Sequence, residues 1–218
     1  MRKFSITEAI SFGWETMKAN LGFFVGILIL AWVIQFATSY FMEQWGKKYP
    51  MMGMLIYLLS IFVNILVGMG LIKISLKFSI GEQGRLEDLF SCAYIFLPYL
   101  GASILSGLAV LGGCILLIIP GIIIGIRLQF YVYLMIDRNA SAIESLKESF
   151  ALTRGATWDL FVFGIMLGLI NLAGALCLLI GLFATVPTSM VALAYVYRKL
   201  LQSSESYIAE GASAQMPV

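Results

Sequence analysis

Two stretches of this 218-residue chain, residues 89–126 and 160–197, each run for 38 residues without an Asp, Glu, Lys or Arg. No other feature limits the fold so tightly. A helix needs about 20 apolar residues to cross a ~30 Å hydrocarbon layer. Each long run exceeds one crossing and suits two. Two shorter uncharged runs, 21–42 and 49–72, suit one crossing each. In hydrocarbon every backbone N–H and C=O must be paired within the chain, so runs of this length default to α-helix. The prediction is an all-α polytopic membrane protein with six transmembrane helices in three hairpins. Composition agrees, at 61% hydrophobic and 12% charged, against about 45–50% and about 25% in soluble domains.

The turns inside the long runs carry no charge to mark them. Glycine tolerates turn angles, which makes Gly112-Gly113 and Gly181 the candidates. Pro120-Gly121 should start or kink the fourth span, and Pro187 should do the same for the sixth, because proline lacks a ladder N–H. Residues 1–20 mix charge with apolar residues and have no greasy run before Leu21, so no cleaved signal peptide is expected. Six spans place Arg2, Lys3, Lys18, Lys73, Lys77, Arg85, Arg138, Lys147, Arg154, Arg198 and Lys199 on one side, and only Lys47 and Lys48 on the other. The excess of basic residues marks the cytoplasmic side, so both termini are predicted there.

The cytoplasmic pieces have a pattern of their own. Ser5 and Glu8 have the spacing of a capping box, followed by Ile6, Ile10, Trp14 and Met17 on one helical face. Ser141 and Glu144 repeat the box, with Ile143, Leu146 and Phe150 as the apolar stripe. Residues 84–90 are a shorter version, with Leu86, Leu89 and Phe90. Each hairpin is thus expected to follow an amphipathic helix lying at the membrane surface. The first and third pieces align at a shift of 136, pairing Ile10 with Leu146, Trp14 with Phe150 and Lys18 with Arg154. The expectation is one membrane domain over residues 1–200, then a polar, disordered tail over 201–218.

Chemistry is sparse. The chain has no histidine, which removes the commonest general base and metal ligand. Cys92, Cys114 and Cys177 are far apart and lack metal-site spacing. No nucleophile elbow, zinc-protease or phosphate-loop motif occurs. No catalytic residue, metal or cofactor is predicted, and a net charge of +2 makes no case for nucleic acid.

One residue breaks the apolar pattern. Arg127 lies ten residues before Asp137, about 15 Å along a helix, which would set it near mid-membrane. There it would cost about 2.5–3.5 kcal/mol and should face the bundle interior or reach for a partner. Asp137, Asp159 and Glu148 are the candidate partners, and an anionic ligand such as a lipid phosphate is the functional alternative. Gln129, two residues on, should point elsewhere. Gln35, Asn64 and Asn171 are the other intramembrane polar residues, expected to bond between helices. The glycine pairs Gly22/Gly26, Gly121/Gly125 and Gly164/Gly168 allow close helix approach.

The segments "LLIIPGIIIGIRLQFYVYLMID", "SAIESLKESFALTRGATWDLF" and "GLFATVPTSMVALAYVYRKL", with the opening "FSITEAISFGWETMKANLGFF", carry a family resemblance. Together they resemble uncharacterised bacterial integral membrane proteins related to the membrane domain found beside glycerophosphodiester phosphodiesterases. The matching residues are Pro120, Gly121 and Arg127, the helix 142–155, and Val186, Pro187, Tyr195, Tyr197 and Arg198. The resemblance implies a multi-pass protein of the bacterial inner membrane and no established activity. The chain has no soluble phosphodiesterase domain, so that catalysis does not carry over. The expected role is a non-enzymatic scaffold or accessory subunit, partnered by membrane lipids and by another membrane protein. The alternative is a small transporter or channel built on Arg127 and the proline-broken helices.

Overall fold

The computed structural model describes residues 4–46, 48–177 and 179–213. Arg2, Lys3 and Lys47 from the charge argument, and 214–218 of the expected tail, lie outside them. Helix is the only regular structure among the described residues.

Helix α1 (Ile6–Ala19) starts where Ser5 is extended and its Oγ accepts the Glu8 N–H at 3.4 Å. The Glu8 carboxylate does not return to close the box. It accepts a hydrogen bond from the Tyr195 hydroxyl and lies 3.7 Å from Lys199 Nζ. The Tyr195 bond, with help from Lys199, holds the Glu8 carboxyl below the usual carboxylate range. Asn20 ends α1, and α2 (Leu21–Phe41) follows at once, extended by a π-helical turn, Met42–Gly46. Helix α3 (Pro50–Ser79) begins on a proline, whose missing N–H costs nothing at a first helical position. It stops before Gly81, whose φ of 81° is one that glycine adopts freely.

Two short 3-10 turns, Leu86–Leu89 and Ala93–Ile95, lead into α4 (Phe96–Leu116). After one extended residue, Leu117, come α5 (Ile118–Leu128) and α6 (Tyr131–Arg138). Left-handed Asn139 (φ 52°) separates α6 from α7 (Ala142–Leu152), a conformation that asparagine tolerates after a helix. Helices α8 (Thr157–Leu176) and α9 (Leu182–Ser213) complete the chain.

Among the described residues, five stretches are long and apolar enough to cross a membrane: Leu21–Trp45, Pro50–Ser79, Leu86–Leu116, Ile118–Arg138 and Thr157–Leu176. Helix α9 is not among them. Its uncharged half carries Thr185, Pro187, Thr188 and Ser189 and is followed directly by Arg198 and Lys199. The reason lies in its position. Helices α1, α3 and α8 pack against it, and Val191, Ala192, Ala194, Val196, Tyr197 and Leu200 are completely buried. A helix enclosed by protein is selected for close approach, not for hydropathy.

Around α9, the largest apolar cluster includes Phe130, Tyr133, Leu134 and Phe163. A second joins α1, α2 and α3 through Met17, Phe24, Ile74 and Phe78. A third joins α3, α4 and α6 through Met69, Ala102 and Met135. The outside is as apolar as the inside. Met51, Leu97, Ile115 and Leu176 are all more than 70% exposed, and water-soluble monomers rarely show contiguous surface of that kind.

Several details depart from the sequence reading. Gly112 and Gly113 lie inside α4 and do not turn the chain. Gly113 instead lets α5 approach, since a Cβ there would sit 2.8 Å from Gly121 Cα. Gly181 does sit at the α8–α9 connection, against Gly174. Residues 84–90 give only a 3-10 turn. On α1 the buried stripe is Ala9, Gly13 and Met17, while Trp14 is 43% exposed. The close partner explains the shift: a Cβ on Gly13 would stand 2.4 Å from the Thr188 carbonyl oxygen, so the smallest residues, not the greasiest, face α9. Finally, the 1–200 domain boundary does not end a structural element. Helix α9 continues to Ser213, and Leu200 and Leu201 are still buried in the core.

Candidate functional site at a clamped helix break

Arg127 sits at the end of α5, where the helix stops at Leu128 and resumes as α6 at Tyr131. A break strands backbone groups, and buried unpaired groups are costly. Helix α7 supplies the remedy. Ser149 Oγ donates to the Arg127 carbonyl at 2.9 Å and accepts the Phe130 N–H at 3.2 Å. Thr153 Oγ1 lies 2.8 Å from the Ser149 carbonyl and 3.2 Å from that of Arg127. Ser145, Ser149 and Thr153 are completely buried.

On α7 the serine face points inward and the apolar stripe outward, with Ile143 58% and Phe150 41% exposed. Backbone demand from the α5–α6 break pulls hydroxyls inward. The Ser141–Glu144 capping box forms as expected, with both arms present.

The Arg127 guanidinium carbon lies 3.9 Å from the centre of the Phe150 ring, a cation–π arrangement. Its Nε is buried without a hydrogen-bond acceptor, and so is Nε2 of Gln129. The two are not on opposite faces of one continuous helix, because the helix ends between them. None of the three candidate carboxylates reaches Arg127 among the described residues. Asp137 is engaged elsewhere. Arg198 grips it with two bonds of 2.7 and 2.8 Å, and the Tyr197 hydroxyl adds a third at 3.0 Å.

The other singled-out residues do not converge on Arg127. Gln35 is exposed on α2. Asn64 is exposed on α3 and bonds its own helix, at the Ser60 carbonyl, 2.8 Å away. Asn171 does bridge helices, donating to Ser189 Oγ at 2.9 Å, while its Oδ1 is buried without a donor. Pro120 occupies the first turn of α5, and Pro187 lies inside α9. Gly121/Gly125 faces α4, whereas Gly22/Gly26 and Gly164/Gly168 meet nothing within 4 Å.

Sequence reasoning missed three partners: Ser149, Phe150 as a platform, and the Asp137–Arg198–Tyr197 group. The first two are 22 and 23 residues from Arg127 in the chain, beyond the reach of any local pattern. For the third a signal existed, since Arg198 ends the uncharged run 160–197 and Asp137 is the first acid after Arg127. Among the described residues, no group of three or more His, Cys, Asp or Glu side chains is arranged to hold a metal ion. Comparison with protein-family models, with curated proteins and with solved structures found no match to this chain.

Proposed function

We propose that the protein is a six-span component of a bacterial inner membrane, with both termini in the cytoplasm. In this reading it has no catalysis of its own. It serves as a scaffold or accessory subunit that holds an anionic lipid at Arg127. Its three signature segments and its opening resemble those of uncharacterised bacterial membrane proteins related to the membrane domain found beside glycerophosphodiester phosphodiesterases.

One observation carries the lipid assignment. Arg127 has no carboxylate within ion-pair distance among the described residues, and it stacks on a phenylalanine that faces outward. A cation left without a counter-charge in an apolar setting costs about 2.5–3.5 kcal/mol on insertion scales. A phosphate oxygen within reach of the guanidinium offsets that cost and forms charge-assisted hydrogen bonds. The buried Gln129 amide offers a second donor. Helix α7, apolar outward, suits a helix immersed at the lipid boundary.

The transporter reading requires its polar groups to line one path. Arg127 lies by α7, Asn171 by α9, and Asn64 and Gln35 on outward faces, which favours the scaffold. The test is native mass spectrometry of the detergent-extracted protein. Wild type should retain anionic phospholipid, and Arg127→Leu should lose most of it. Equal retention by both proteins removes the lipid assignment. Substrate flux into proteoliposomes that disappears in Arg127→Leu would favour transport.

A further inference from the structure

Away from Arg127, the lower half of α3, the end of α6 and the middle of α9 enclose a cavity of about 160 Å³. Its walls are Lys73, Lys77, Asp137 and Arg198, with Leu76, Ile80 and Ile136 between them. The volume holds several waters, each taking about 30 Å³, or one tetrahedral oxyanion. The charges are unequal. Lys77 Nζ engages both Asp88 oxygens, at 2.8 and 2.7 Å, and Asp88 also accepts the Arg85 N–H. Arg198 is paired with Asp137, as described above, and the neighbouring Arg138 with Glu205. Lys73 is the exception. Among the described residues its ammonium meets only the Ser91 hydroxyl, at 2.9 Å, and a hydroxyl cannot neutralise it. Three cations thus share two carboxylates.

The hydrogen-bond count points the same way. An ammonium has three donors and a guanidinium five. Lys73 uses one, Lys77 uses two, and Arg198 directs two nitrogens at Asp137 while its Nε is buried without an acceptor. Among the described residues, all three cations retain N–H groups with no protein acceptor. Both carboxylates of the cluster already have their oxygens engaged, so they leave the surplus positive.

We infer that this cavity is an oxyanion site, built for one phosphate group, with Lys73 as its determining residue and with Lys77 and Arg198 as supporting donors. The group arrives on a phospholipid headgroup or as a free phosphate. The site shares no residue with the Arg127 stack and does not rest on the lipid assignment made there.

The test uses the full-length protein in neutral detergent at constant ionic strength, because exposed charges are screened by salt. In one arm inorganic phosphate replaces chloride, and thermal unfolding is followed. A ligand that binds only the folded form raises the midpoint. In the other arm, native mass spectrometry follows binding of phosphatidylglycerol. The expected result is saturable binding in at least one arm. Binding in the first identifies a free phosphate, and binding only in the second identifies a headgroup. The headgroup arm is run in the Arg127→Leu background, which removes the lipid held at the other site; there, as in the phosphate arm, Lys73→Met should weaken binding tenfold or more and Lys73→Arg should keep most of it. Lys73→Met strands no carboxylate, so the ion pairs that hold the fold stay intact. Phosphorus-31 line broadening of inorganic phosphate with wild type gives a check of the first arm that needs no variant. Absence of saturable binding in both arms overturns the inference. So does binding that Lys73→Met leaves unchanged in both arms.

Discussion

Ser149 holds the α5–α6 break with a single hydroxyl. It serves a carbonyl and an N–H on either side of a helix break, and it is completely buried. Leaving such groups unpaired costs about 1–3 kcal/mol. Ser149→Ala is therefore expected to lower stability by about 2 kcal/mol, read as a fall in the thermal midpoint in detergent. Ser145 is the control. It is equally buried, but its hydroxyl bonds only the Ala142 carbonyl of its own helix. Ser145→Ala should cost less than about 1 kcal/mol, because the carbonyl can keep its ladder bond. Equal losses would mean that α7 responds to volume and not to the backbone break. At this scale the sequence was legible where the physics is local. The Ser141–Glu144 box spans three residues and formed. The Ser149–Arg127 bond spans 22 and could not be read, because serine's preference for water was the only guide and the buried backbone overrode it.

Helices α1 and α9 show the same limit one level up. The position of α1 was legible from its cap and charges, but its buried face only in part. Hydrophobic periodicity chose Ile6, Ile10, Trp14 and Met17, whereas contact buries Ala9, Gly13 and Met17 and leaves Trp14 exposed. Periodicity reports which face avoids water. It does not report which face must come closest to a neighbour. Gly13 decides the matter. A methyl group there would stand 2.4 Å from the Thr188 carbonyl and 3.2 Å from Ala192 Cβ. The backbone oxygen cannot step aside, so α1 must move. Overpacking of this kind costs about 1–3 kcal/mol. Gly13→Ala should loosen α1, and limited proteolysis between α1 and α2 should speed up. Gly26 offers the opposite case. It has open space around it, and alanine is favoured over glycine within a helix by about 0.5–1 kcal/mol. Gly26→Ala should leave proteolysis unchanged and raise the midpoint slightly. If both variants behave alike, the α1–α9 contact does not hold α1 in place.

The order of the helices along the chain follows from where charge is missing, and hydrocarbon as solvent explains why that signal is strong. Their assembly does not follow from it, since hydropathy is silent about helices enclosed by others. Helix α9 is the test. By its own apolarity it falls outside the five qualifying stretches, yet its packing sets its direction relative to α3. Arg198 shares a cavity with Lys73, Lys77 and Ile80, so Gln202, one turn further on, belongs at the same end as Glu82, just past α3. Gln44, between α2 and α3, belongs at the other end. Six crossings with cytoplasmic termini then make a definite prediction. Single cysteines at these three positions, in a background with Cys92, Cys114 and Cys177 changed to alanine, should divide in one way. A membrane-impermeant maleimide should label Gln44→Cys in intact cells. It should label Glu82→Cys and Gln202→Cys only after the membrane is opened. Were α9 to lie outside the bilayer, five crossings would separate Gln202 from Glu82 and break up the Lys73–Arg198 cavity. Labelling of Gln202→Cys in intact cells, with Glu82→Cys protected, would therefore refute the sixth crossing and the oxyanion site together. Labelling of Glu82→Cys and Gln202→Cys but not Gln44→Cys would keep both and reverse only the orientation drawn from the basic residues.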